Sequence, residues 1–547
     1  MVNRAAHSAN ANLPVNPERL LSLAVGEHTI LRDPGEFCLQ FPAATSGGSY
    51  LMGITATREI NAITSWRFST VTPASGVAMA SHNGVSTSVA PEAKLRAWER
   101  SFLASSGSRA VATPSAAALR MRRPPPVVGQ NISFRVPRVS IDPCNLFDLQ
   151  PATVVHVGTG LVIAIPEASG ADINALLVVP GLDQTIAEMQ ASAAVINEMV
   201  SSYTGDFIQQ FDDDGLLTVL LTDVTDAPAV FGTMTDLLPV TTCPASNSQA
   251  MVYLAVSSPD YTHPTQAAAA IMASIGGAAP ALAHEVAHLA QHGVRLGAGV
   301  ATALPAWLSE GQAELVVEMV GRALLGDGNA QDLGWSTVNA DQSARDWYLP
   351  RFESLSHHFG WDGACGKVAG APAMCSLFGF GVGGSPCDPA GGSGAAWSLL
   401  RYISDRIAGQ SPQGMASLLR LLVRQVNLDA IATTLAGMSL PPLPDLLAEW
   451  AMSLYTDGRI PDTGNLRFRS WDMADIFGAL APAQRLDPVV LPFGQFDVQG
   501  NIIGGGTAYL RLDAGGAHGS LAVKVSDATG AGFAESMVPR VWVVRLQ

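Results

Sequence analysis

Short apolar runs broken by Gly, Ser, Asn and Pro fill residues 20 to 90, as in Phe37-Cys38-Leu39-Gln40-Phe41 and Tyr50-Leu51-Met52-Gly53-Ile54. Runs of this length between such breakers are what antiparallel strands leave in a sequence, so an N-terminal β domain is expected over residues 1–103. Residues 104–127 are rich in Ser, Ala and Pro and end in Pro124-Pro125-Pro126, the composition of a linker. Strand patterns resume at 132–136, 153–157 and 161–165, which predicts a small β module over 128–174.

From residue 175 the period changes. Ile186, Met189, Ile196, Met199, Tyr203 and Phe207 form one apolar stripe at helical spacing. Asp212-Asp213-Asp214-Gly215 then reads as a turn, since the later ligands of a calcium loop are missing. The nearly all-apolar run at 216–222 predicts a central strand, and 251–256 a second one. Residues 280 to 475 are mostly helical, with the clearest segments after Pro305 and at 395–406, 415–426 and 443–455. Residues 488–547 return to strand and turn. The fold class is therefore multidomain α+β: a domain over 175–480, with a small sheet and a helical part, between the N-terminal β domain and a C-terminal β domain over 481–547.

Composition narrows the choices. The chain is 48% hydrophobic and 14% charged, enough apolar material for large cores. Its net charge of −15 argues against nucleic acid or an anionic membrane as partner. The basic cluster Arg120, Arg122, Arg123 sits in the Pro-rich stretch and reads as solvated linker. The longest apolar run, 267–283, is Ala- and Gly-rich and contains Pro280, which fits a buried helix better than a membrane span. The first residues lack the apolar core of a signal peptide. Cys365, Cys375 and Cys387 lie close together in a Gly/Pro/Ser-rich stretch, where a disulfide such as Cys365–Cys375 would staple a loop in an oxidising compartment. No CxxC pair exists, so a cysteine zinc site is not expected.

The candidate chemistry lies in His284-Glu285-Val286-Ala287-His288. Imidazoles four residues apart share one helix face and can reach one zinc ion. Glu285 points aside from them, where it can take a proton from water that the metal activates. Leu282, Val286 and Leu289 supply apolar residues to bury the other faces. A catalytic zinc needs a third protein ligand and an open position. His292 cannot serve, because on a straight helix it lies about 12 Å along the axis from His284; it reads as a helix-end residue beside Gly293. Glu310, in Pro305-Ala306-Trp307-Leu308-Ser309-Glu310-Gly311-Gln312-Ala313-Glu314, is the better candidate. A Gly/Ala-rich loop over 293–304 lets the helix that starts at Pro305 fold back beside the first. Glu314, one turn further on, could then accept the N–H of a ligand histidine and fix the ring.

HExxH followed by WLSEGxAE resembles the gluzincin zinc metallopeptidases, the thermolysin-like and aminopeptidase-N-like set, and within it the hyicolysin family of bacterial secreted enzymes. Supporting segments are 216–223, 283–288, 307–311 and 394–402, so the resemblance spans about residues 180 to 460. It implies a zincin-type catalytic domain, His284, His288 and Glu310 as ligands of one Zn2+, Glu285 as general base, and hydrolysis of peptide bonds in proteins or peptides. The exopeptidase-specific Gly-Ala-Met-Glu-Asn segment is absent, which points to an endopeptidase. The residue that steadies the oxyanion is open among Tyr348, His357, His358 and Tyr402. An extended substrate is expected along an edge strand near 231–237 by strand addition. The resemblance also implies a secreted or extracytoplasmic location, and a monomer is expected. The rival readings are a catalytically weak zincin-fold binding or surface protein, and a deformylase-like amide hydrolase, which would need a Gly-Cys-Leu-type segment that the sequence lacks.

Overall fold

The computed structural model describes residues 19–32, 37–43, 48–59, 63–70, 77–78, 91–106, 124–166, 173–205, 207–208, 214–223, 228–257, 262–300, 302–328, 330–361, 371–378, 389–407, 412–461, 464–516, 518–533 and 539–547. The protein is multidomain α+β, built on three sheets. The strand patterns at the two chain ends do form strands, but they do not form separate N-terminal and C-terminal domains. Ser49–Thr55 lies between Thr507–Asp513 and Arg540–Arg545, and Thr64–Thr70 lies between Leu521–Ser526 and Asp497–Ile502. First and last strands thus interleave in two sheets, one of six strands and one of five. Leu39, Phe41, Met52, Ile54, Phe68, Leu510, Val523 and Val543 meet in their shared core. Alternation along each strand cannot reveal its neighbour: burying both apolar sets in one core is what selects the pairing.

The expected module over 128–174 is not separate either. Its strands Asn131–Pro137, Phe147–Gly158 and Leu161–Pro166 continue into Leu217–Thr222, Met251–Ala255 and Val230–Gly232 as one six-stranded mixed sheet. Leu217–Thr222 is buried at every position, as its unbroken apolar pattern requires of a central strand. Val230–Gly232 is the outer strand, antiparallel to Met251–Ala255. The helix Leu182–Thr204 packs against this unit through Ile186, Met189, Ile196 and Tyr203, the predicted stripe. The helices Pro389–Arg406, Pro412–Leu422 and Leu443–Thr456 also stand where helices were expected.

One element departs from the expected N-terminal β domain. Residues Pro91–Ser106 form a helix that packs on the mixed-sheet unit rather than on the sandwich. Leu95 is fully buried with Phe134, Val136 and Phe231, while Trp98 and Phe102 pack beside Cys144, Met234 and Cys243. Cys144 and Cys243 form a disulfide across 99 residues, a link the sequence pattern did not suggest. Cys375 is also disulfide-bonded; the expected pairing with Cys365, and the turn at 212–213, fall outside the described residues. Among the described residues no single helix is long and apolar enough to cross a membrane.

Candidate metal centre

The motif helix, Ala279–Gly297, begins with Pro280 in its first turn, where a missing N–H costs nothing. Leu282, Val286 and Leu289 are 2%, 0% and 0% exposed, so the face opposite the imidazoles anchors the helix in the main core. Each such side chain contributes on the order of 1.5–3 kcal/mol. The helix runs further than the sequence suggests. His292 and Gly293 lie inside it rather than at its end, and the return loop shortens to residues 298–305. His292 is still no ligand: its Nε2 faces Glu99 Oε2 at 3.2 Å.

The second helix, Ala306–Leu325, lies alongside and brings Glu310 to the imidazoles. Gly311 permits a close approach on its far side, since a Cβ there would stand 2.9 Å from Ala396 Cβ and 3.0 Å from its backbone. The Pro389–Arg406 helix therefore seats directly behind the carboxylate.

Three donor atoms converge. His284 Nε2 and His288 Nε2 are 3.0 Å apart, and Glu310 Oε2 lies 3.3 Å from the first and 3.4 Å from the second. Donors placed about 2.0–2.1 Å from a tetrahedral zinc ion are about 3.3 Å from one another. The triangle matches one face of that tetrahedron. Among the described residues this is the one cluster of three His, Cys, Asp or Glu side chains able to hold a metal ion.

The surrounding hydrogen bonds fix what the three atoms are. Ser309 Oγ donates to Gln291 Oε1 at 2.5 Å, so it accepts from His288 Nδ1, 3.1 Å away. Gln291 Nε2 in turn donates to the Ser309 carbonyl at 3.0 Å. On the other ring, His284 Nδ1 donates to Glu314 Oε1 at 3.2 Å. With both Nδ1 atoms carrying the hydrogens, both Nε2 atoms present lone pairs. Two lone pairs and a carboxylate oxygen thus face one point with no donor among them. In a buried site that arrangement is repulsive until a cation fills it, and His288 and Glu310 are 0% and 4% exposed. The donor set fits zinc: borderline imidazole nitrogen with one carboxylate.

Charge around the site is graded. Burial pushes the Glu310 carboxyl up, and the positive charge of a protonated His288 or His284 beside it outweighs that, so in the absence of a metal the group is held well below the ordinary carboxylate range. For Glu314, burial likewise raises the pKa, and the Arg351 guanidinium overrides it, with Nη2 3.0 Å from Oε2. The result is about 2. Glu314 thus stands in the expected place and is itself held by a cation that the sequence gave no sign of.

Glu285 faces a different set of partners. Its Oε2 accepts the Gly232 backbone N–H at 2.7 Å and Arg96 Nη2 at 2.5 Å. Arg96 Nη1 also donates to the Gly232 carbonyl and to Glu99 Oε2, each at 3.1 Å. Glu99 Oε1 accepts the Met234 N–H at 3.0 Å. Arg96 and Glu99 are 5% and 1% exposed. Neither is recognisable from the sequence, because 189 residues separate Arg96 from Glu285.

The two tyrosines among the four oxyanion candidates donate elsewhere, and the two histidines pack on tryptophans. Tyr348 donates to Asp327 Oδ2 and Tyr402 to the Asn465 carbonyl, each at 2.6 Å. His357 packs on Trp361 and His358 on Trp450. Arg96, Arg100 and Arg295 instead line a cavity with Glu310, Gln291 and His292. Comparison with known proteins yields no matching family model and no matching curated protein.

Proposed function

We propose that the protein is a zinc-dependent endopeptidase whose mixed-sheet unit is a zincin-type catalytic domain of the gluzincin kind. The observation that carries this reading is the convergence of two imidazole lone pairs and one carboxylate oxygen at tetrahedral donor spacing. His284, His288 and Glu310 would hold the ion, and Glu314 and Ser309 orient the two rings. Zinc bound there would polarise a water molecule and the scissile carbonyl. Glu285, next to the first ligand and outside the donor triangle, takes the proton from the attacking water and returns it to the leaving amine.

The substrate runs along the outer strand Val230–Gly232, a shorter edge than the expected 231–237 because Met234–Leu237 is a buried 3-10 helix. The Gly232 carbonyl can accept from an extended peptide there by strand addition, with the Met234 N–H, at the start of that helix, as a donor beside it. The Cys144–Cys243 disulfide supports an oxidising, extracytoplasmic setting. A second reading, a zincin-fold binding protein with little turnover, draws on the ion pair between Arg96 and Glu285. Hydrolysis of casein or a fluorogenic peptide by zinc-loaded protein, as wild type and with Arg96 and Glu99 replaced by alanine, tests the first reading. It should vanish in Glu285→Ala and on chelation. Equal hydrolysis by Glu285→Ala would refute the role of the base, and absence of hydrolysis with the Pro91–Ser106 contacts removed would favour the binding protein.

A further inference from the structure

We propose that the Pro91–Ser106 helix is an intramolecular inhibitor: through Arg96 and Glu99 it occupies the catalytic base and the substrate-binding edge at once, and the chain is latent until that helix is displaced. The proposal takes its substrate class from the peptidase reading. The blockade itself is geometry.

Three groups that a peptide complex needs are already spent on this helix. The Glu285 carboxylate is ion-paired with Arg96, whose Nη2 occupies the same Oε2 atom that accepts the Gly232 N–H. The Gly232 carbonyl, which faces away from Met251–Ala255, accepts Arg96 Nη1. The Met234 N–H donates to Glu99, and His292 on the motif helix closes on the same carboxylate. One acceptor of the outer strand and one donor of the helical turn that follows it are therefore satisfied by side chains of this helix.

The space is filled as well. The cavity between this helix and the Glu310 side of the site, lined by Arg96, Glu99, Arg100, His292, Arg295 and Glu310 among others, is about 20 Å³. That admits about one water and no peptide side chain. Burial makes the contacts costly to break piecemeal. Arg96 and Glu99 are almost fully enclosed, Glu99 is held as a carboxylate by His292 and Arg96 against its own desolvation, and Leu95 is locked in the core below. The hold is nonetheless local. It comes from one helix whose apolar anchors are Leu95, Trp98 and Phe102, so displacing it need not disturb the sheet or the motif helix. The sequence after Ser106 is rich in Ser, Ala and Pro and carries Arg120, Arg122 and Arg123.

The test uses the full chain as wild type and as Arg96→Ala/Glu99→Ala, with two readouts. The first is hydrogen exchange of the segment 228–238 in the protein as purified, which needs no metal. The second is hydrolysis of a fluorogenic peptide by the zinc-loaded protein. The expected result is at least tenfold faster exchange together with at least tenfold faster hydrolysis in the double variant. Unchanged exchange overturns the proposal. So does hydrolysis that falls, which would make Arg96 a residue that positions Glu285. Faster exchange with no hydrolysis in either protein keeps the occluded edge and removes the peptidase reading instead.

Discussion

Replacing Glu314 by alanine isolates the link between ring orientation and metal affinity. The carboxylate touches no donor point of the zinc triangle; it accepts His284 Nδ1–H on one oxygen and Arg351 Nη2 on the other. Its loss frees the His284 ring to rotate and lets the other tautomer form, which removes the lone pair from Nε2 in part of the population. Such partners of a metal-bound histidine are worth about 10–100-fold in affinity, or about 1.4–2.7 kcal/mol. Arg351 keeps the carbonyls of Trp347 and residue 314, so the helix should stay folded. The stability cost can be bounded separately. A carboxyl lowered from 4.5 to about 2 contributes at most about 3 kcal/mol, present above pH 4.5 and lost as the pH falls toward 2. At pH 7 the zinc dissociation constant, from competition with a calibrated chelator, should rise 10–100-fold in Glu314→Ala and less in Glu314→Gln, which retains an acceptor oxygen. Affinity within twofold of wild type in a folded Glu314→Ala protein would refute the reasoning.

Ser309→Ala should weaken zinc about tenfold by the same route through His288 Nδ1, and a chelator titration reads it directly. Asp236 is fully buried and burial raises its carboxyl to about 7, against the donors Tyr253 and Asn247. Its folded value exceeds its unfolded one, so stability is fully present below about pH 4 and is lost as the pH rises toward 7. Urea unfolding of Asp236→Asn should lack up to about 4 kcal/mol of that decline; an identical pH slope in both proteins would contradict it. Replacing Cys144 and Cys243 by serine opens a 99-residue loop and should cost about 2–5 kcal/mol of unfolding free energy under oxidising conditions, with no difference from wild type once both are reduced.

What could be read from the sequence was local. The His284–His288 spacing, the return of Glu310 and the support from Glu314 each depend on one or two helical turns, and Pro305 marked where the second helix starts. Individual strands were legible for the same reason: Leu217–Thr222 and Met251–Ala255 declare themselves by their own apolar runs. Pairing was not. Thr55 and Thr507 touch across 452 residues, and nothing in either strand names its partner. The Pro91–Ser106 helix carried a usable signal, with Leu95, Trp98 and Phe102 at helical spacing, but it follows a strand-rich stretch and was absorbed into it. Its polar residues are another matter. Arg96 and Glu99 look like ordinary solvated charges until the fold buries them against the motif helix.

The central claim is that His284, His288 and Glu310 bind one metal ion together. Zinc stoichiometry and affinity of purified wild type and Glu310→Ala test it most directly. The expected result is about one zinc per chain in the wild type, falling well below that in the variant under the same chelator. Equal zinc content and affinity in the two proteins would show that the carboxylate does not belong to the site.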